Sequence, residues 1–127
     1  MGTWAAVQAA VRAAHTLDSD LEHEFSVTLQ SPSGRAQRIM VRHSVAWGHS
    51  LLEFRSAFAQ TGAFDPTALL EDNLQLPLGA IAQHGKFLVL VHKVVLDFTS
   101  VDGVLFLVGR ISVLADLLEE RTGTDRF

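Results

Sequence analysis

The stretch from Leu74 to Val95, LQLPLGAIAQHGKFLVLVHKVV, constrains the fold more than any other part of this chain. Its only full charges are Lys86 and Lys93, and His84-Gly85 near its centre offers a reversal, because glycine takes positive φ freely and histidine tolerates it. Two paired strands are expected, Leu78 to Gln83 and Lys86 to Val95. Ile81, Leu88 and Leu90 fall on one face, and Ala80, Ala82, Val89 and Val91 on the other. A hairpin apolar front and back predicts cover on both sides, helices on one and a second subunit or partner on the other.

The same register bears on metal binding. With Gln83 opposite Lys86, His92 falls opposite Pro77, about eight residues or roughly 25 Å from His84 along a strand. The two imidazoles are not expected to share an ion, and no metal ligands are assigned.

The other elements follow from periodicity. Trp4, Val7, Val11 and Ala14 recur at steps of three and four, which predicts a helix over Thr3 to Thr16. LDSDLEHE reads as a polar loop. Phe25, Val27 and Leu29 then alternate with polar residues, SPSG supplies a turn, and Ile39 and Val41 alternate with Arg38 and Arg42. After a loop at SVAWGH, Leu52 and Phe54 alternate with Glu53 and Arg55, and opposite charges are expected to meet across the polar face. Asp65 can cap a short helix with Pro66 in its first turn and Leu69, Leu70 and Leu74 as its stripe, ending before Pro77.

A last helix, capped by Thr99 or Ser100 and stopped by Arg121 and Gly123, runs roughly 30 Å. Its apolar face is wide, with Leu107, Ile111, Leu114 and Leu118 beside Val104, Val108 and Ala115; Gly103 and Gly109 within it read as close-packing positions. The expected fold class is α+β: a single antiparallel five-stranded sheet with three helices, in the order α-β-β-β-α-β-β-α, as one domain over residues 1–127.

Composition narrows the function. At 48% hydrophobic and 19% charged, the chain is too apolar for a disordered protein. Its 14 acidic and 10 basic residues give a net charge of -4 without runs, which weighs against nucleic acid. The lack of cysteine excludes disulfides, a thiolate nucleophile and cysteine-ligated zinc, and makes a reducing cytoplasm the natural setting. MGTWAAVQAAVRAAH has no basic start and is interrupted by Arg12, so it does not read as a signal peptide. The windows Phe87 to Phe98 and Val104 to Leu118 are broken by charges well short of about 20 apolar residues, so no membrane insertion is expected.

No catalytic constellation emerges. RHSVAWGHSLLEF gathers His43, Ser44, His49 and Ser50, but a nucleophile elbow needs a glycine two places either side of its serine, and Leu52 stands where Ser50 would need the second. Glu53 and Asp97 read as solvated or capping carboxylates. A glycine-rich phosphate loop is absent, and no cofactor is assigned.

LLEDNLQLPLGAIAQHGKFLVLVHKVVL and VLADLLEE carry a Leu-Leu-x-x-Asn helix, a Leu-Pro-x-Gly entry to a hairpin, and an Ala115-Asp116 pair in the final helix. With the expected element order, these resemble the class I type III secretion chaperones and the YbjN-like proteins. The hairpin exit HKVVLD departs from the proline-containing polar turn frequent in such relatives. The resemblance implies dimers without catalytic residues that hold segments of other proteins against the sheet and first helix. The expected function is a non-catalytic, homodimeric, chaperone-like or adaptor module that binds a partner polypeptide in the cytoplasm. Trp4, Val11, Met40 and Trp47 are the expected partner contacts, and Leu69, Leu70, Leu74, Val89 and Val91 the expected dimer interface. Two rivals stand beside it: a small ligand-binding protein or enzyme using His43 or His49 in a helix-sheet pocket, and a structural dimerisation scaffold.

Overall fold

Each helix opens where the sequence offers a side-chain acceptor. Thr3 accepts the N–H of Ala6 at 3.1 Å and starts α1 (Trp4–Ala14); Asp65 accepts from Thr67 and starts α2 (Pro66–Asp72); Ser100 accepts from Gly103 at 2.9 Å and starts α3 (Val101–Glu120). A computed structural model describes residues 2–62 and 64–121. Gly123, one of the expected stop signals, lies outside the described residues; Arg121 is the C-cap of α3.

The strands are β1 (Leu17–Asp20), β2 (Glu24–Gln30), β3 (Ala36–Ala46), β4 (His49–Gln60), β5 (Ala80–His84) and β6 (Phe87–Val95), with short 3₁₀ turns at Asn73–Gln75 and Leu96–Phe98. They form one antiparallel sheet in the order β1-β2-β3-β4-β6-β5. The class is α+β with three helices, but the sheet has six strands rather than five, and the element order is α-β-β-β-β-α-β-β-α. The additional strand is β1, drawn from the segment expected to be a loop. Its sequence, Leu-Asp-Ser-Asp, has one apolar residue and no stripe to betray it. Hydrogen bonding holds it instead: Ser19 bonds Ser26 at 2.7 Å, Thr28 donates to Asp18, and Arg12 of α1 grips Asp20 at 2.6 Å.

Two further expectations are corrected. His84 pairs with Phe87, so the β5–β6 turn is Gly85-Lys86 rather than His84-Gly85. Gly85 alone takes positive φ, 60°, as a type II′ reversal requires at its first central residue. The loop expected at SVAWGH is also no loop. β3 runs on to Ala46, which pairs with His49, leaving Trp47-Gly48 as a two-residue turn.

All three helices pack on one face of the sheet. There Phe25, Val27, Ile39, Val41, Leu52, Phe54, Phe58 and Leu90 meet Val7 and Val11 of α1, Leu69 of α2, and Val104, Val108, Ile111 and Ala115 of α3. Burying each of these side chains except Ala115 stabilises by about 1.5–3 kcal/mol relative to exposure. The motif residues noted in the sequence have structural roles. Asn73 accepts the Ile81 N–H at 2.6 Å through Oδ1 and so covers part of the outer edge of β5. Gly79 sits at φ 72°, and a β-carbon there would lie 2.9 Å from the Val91 carbonyl. Asp116, buried in the last turns of α3, accepts from Arg35 Nε at 2.8 Å and from Ser33 at 3.0 Å, clipping the β2–β3 turn to the helix. Gly109 departs from the close-packing expectation: a methyl group there would meet nothing within 4 Å, and the structure offers no reason for it.

The central pair of strands separates at one end. Pairing between β3 and β4 runs from Ala46/His49 to Met40/Arg55 and stops there. Beyond that point β3 pairs only with β2, down to Ala36/Gln30, and β4 only with β6, down to Gln60/Phe87, with a bulge between Ala57 and Ala59. Polar side chains fill the resulting seam from the helix side. Ser56 donates to the Arg38 carbonyl at 2.8 Å and approaches Gln37, whose amide bonds Glu119 of α3; Gln37, Ser56 and Glu119 are all buried. These buried groups satisfy one another, as burial demands.

Candidate functional site

The second face of the sheet carries no helix among the described residues, and strand alternation dictates what it displays. One row across it is charged: Glu24, Arg42, Glu53 and Lys93 occupy successive partner positions on β2, β3, β4 and β6. Glu24 meets Arg42 at 2.9 Å and Lys93 approaches Glu53 at 3.6 Å, the cross-strand charge pairing expected from the alternation. The next row, Ser26, Met40, Arg55 and Val91, passes into the seam, where the open face sinks into a groove of about 440 Å³. Met40, Ala57, Val89 and Phe87 supply its apolar surface, and Arg38, Arg55, His84 and Glu24 its polar walls. Arg55 donates to Glu53 at 2.7 Å and to His84 Nδ1 at 3.2 Å, while Arg38 donates to Ser26 at 3.1 Å.

The residues singled out in the sequence are dispersed. Val11 is wholly buried in the chain's own core, and Leu69 packs into the same core, so neither presents a surface to a partner or a second subunit. Trp4 is half-buried, stacked between Phe25 at 5.5 Å and His43 at 5.2 Å, with its indole N–H donating to the Glu22 carbonyl at 2.7 Å. Met40 and Val89 line the groove, although Val89 is only 4% exposed. Val91 is half-buried beside Arg55, and Ala80 and Ala82 are exposed, so the chain itself leaves this side of the hairpin partly open. Leu70 and Leu74 lie exposed on and just after α2, Leu74 at 86%. Their helix borders a smaller cleft of about 200 Å³ between α2 and the β5–β6 hairpin, lined by Phe64, Pro66, Leu69, Leu70, Ile81 and Leu88.

Trp47 is 87% exposed at the tip of the β3–β4 hairpin. Its φ is 53° and that of Gly48 is 73°, the type I′ geometry in which both central residues are left-handed. A bulky residue rarely adopts that conformation, which costs on the order of 1–3 kcal/mol. Val45 and Phe98 are exposed at the same end, where the Phe98 ring lies 5.8 Å from His49 across the tip.

The histidines form two separate pairs. His43 Nε2 lies 3.0 Å from Ser50 Oγ, and His49 Nδ1 lies 2.7 Å from Asp97. A serine-histidine-carboxylate triad needs the acid on the second nitrogen of the histidine that holds the serine. Here His43 Nδ1 is buried without a partner among the described residues, and Ser50 and His49, adjacent on β4, leave opposite faces of the strand. Burial, assisted by the nearby His23, lowers the pKa of His43, and burial alone lowers that of His92. His92 lies against Phe54 on the helix side and His84 on the open face, five residues or about 17 Å apart along the hairpin register. No group of three or more histidine, aspartate or glutamate side chains among the described residues could hold a metal ion, and no helix among them is long and apolar enough to cross a membrane.

Sequence reasoning missed the groove, because the alternation of β3 and β4 continues unbroken through the point where they part. Arg38 and Arg55 were visible as polar-face residues, but not as neighbours across a seam. Comparison with family models, curated proteins and solved structures yields no match, so the reading of this surface rests on its own geometry.

Proposed function

We propose that this chain is a non-catalytic adaptor that seats a segment of a partner polypeptide on the open face of its sheet, working in the cytoplasm as a homodimer. The observation that carries the reading is the groove where β3 and β4 part: an apolar surface with charged walls on a face that no helix covers among the described residues. An extended segment points alternate side chains the same way every ~6.6 Å, so one apolar side chain can settle on Met40 and Val89 while its neighbours reach the walls. Trp47 supports the reading independently. A nearly fully exposed indole held in a strained turn contributes little to the fold, and strain of this kind clusters at contact sites. Leu70 and Leu74 supply the apolar surface for the second copy.

The test is a peptide array tiled from the proteins encoded beside this chain's gene, probed with the full chain and with Met40→Asp and Trp47→Ser. A discrete set of bound peptides is expected, weakened by both substitutions at unchanged circular dichroism. An array without bound peptides, or binding indifferent to both substitutions, would overturn the reading. Light scattering at micromolar concentration checks the dimer, which Leu74→Glu should convert to monomer.

A further inference from the structure

The charges of the open face point to what kind of segment the groove selects. Each carboxylate near the groove is already engaged: Asp18 accepts from Thr28, Glu24 from Arg42, and Glu53 from Arg55 with Lys93 nearby. The cations are not all engaged in return. Arg38, exposed on one bank of the seam, has no carboxylate within 4.0 Å among the described residues, and its only side-chain bond goes to the Ser26 hydroxyl. Arg55, on the other bank, uses its two terminal nitrogens on Glu53 and His84, but its Nε is buried without an acceptor among the described residues. Around the groove four cations, Arg38, Arg42, Arg55 and Lys93, face three carboxylates, while Asp97 lies with His49 at the far end of the face, so the groove end is locally positive in a chain whose net charge is -4.

We infer that the groove reads a carboxylate: the partner segment places an Asp or Glu side chain on Arg38, with an apolar side chain next-but-one along the strand settling on Met40 and Val89. A planar guanidinium presents two parallel donors that match a carboxylate, whereas a neutral amide offers it only one acceptor atom. The hydroxyl of Ser26, bonded at 2.7 Å to Ser19 and at 3.1 Å to Arg38, holds that guanidinium at the groove. This inference rests on the open face being the polypeptide site.

The experiment measures fluorescence anisotropy of the full chain with three short labelled peptides, acetylated and amidated, in which leucine stands next-but-one to glutamate, glutamine or lysine with serine between them, so that both side chains point to one face. The glutamate peptide is expected to bind about tenfold more tightly than the glutamine peptide at low salt, and added salt should narrow that margin. Arg38→Gln should abolish the margin, bringing the glutamate and glutamine peptides to equal affinity, and Arg38→Lys should keep part of it. Circular dichroism confirms that both variants fold. Equal binding of the glutamate and glutamine peptides, a margin that survives Arg38→Gln, or a preference for lysine overturns the inference while leaving the adaptor reading in place. Failure of all three peptides to bind overturns both.

Discussion

The strain at Trp47 can be measured as a stability difference between two substitutions. Trp47 and Gly48 join Ala46 to His49 with both φ angles positive, the conformation for which Asn-Gly is the preferred pair. Trp47→Asn and Trp47→Ala both remove an indole that is 87% exposed, so they forfeit nearly the same small contact area. They differ in how the new residue tolerates the backbone. A β-carbon costs about 1–2 kcal/mol in the left-handed region, and asparagine recovers much of that through local hydrogen bonding while alanine does not. Asn should therefore exceed Ala by about 1 kcal/mol. With an unfolding entropy of about 2.1 cal/mol/K per residue, the 127 residues give about 0.27 kcal/mol/K, so the gap corresponds to about 4 °C in Tm. Differential scanning calorimetry reads it, with agreement of calorimetric and van't Hoff enthalpies as the check on two-state behaviour. An alanine variant as stable as the asparagine variant would refute the argument. If Trp47 also contacts a partner, the asparagine variant will match or exceed the parent in stability yet bind less, a trade expected at functional sites.

Two glycines should respond to alanine in opposite directions: Gly79→Ala loses at least about 2 kcal/mol, because it meets the Val91 carbonyl at positive φ, and Gly109→Ala gains about 0.8–1 kcal/mol in an unobstructed helix. Urea denaturation of the pair decides both. Asn73→Ala strips the Ile81 N–H of its acceptor, with an expected loss of about 1–3 kcal/mol and faster aggregation by light scattering as the edge of β5 is bared. Stability should fall in two steps on acidification. His43 and His92 are depressed in the folded state, so the unfolded chain takes up their protons first and the first step comes as pH drops below about 6.5. For Asp116, burial pushes the carboxyl up, but the hydrogen bonds from Arg35, Ser33 and Ser31 and the charge of Arg35 outweigh it and hold the pKa below the usual range. Its contribution is present above about pH 4 and is lost below that, as the second step. Thermal melts across pH should show the first step shrink in a His43→Phe, His92→Phe double variant and the second in Asp116→Asn.

The sequence resolved what local chemistry decides. Asp65-Pro66 and Ser100 open their helices as read, and the alternation at Phe25, Ile39 and Phe54 points these residues to the core. β1 escaped because its cohesion comes from Asp18, Ser19 and Asp20, residues that equally favour loops. The β5–β6 register shifted because His84-Gly85 and Gly85-Lys86 are both acceptable reversals, and the choice falls to the pairing of β6 with β4. Val11 and Leu69 were assigned outward because a wide apolar stripe does not reveal which part of it the chain buries itself. The groove depends on where two strands cease to pair, at a bulge in β4 and a buried cluster that includes Glu119 of the distant α3, and strand alternation carries no mark of that point.

That last dependence orders events during synthesis. The sheet consists of two triplets, β1-β2-β3 and β4-β6-β5, each assembled from nearby stretches of chain, and their junction is braced at its parted end by Glu119, in the closing turn of α3. A ribosome that has released both triplets has not yet delivered the brace, because α3 is the last helix described. The gap between the triplets is therefore closed on its helix side only once α3 has emerged, after all six strands.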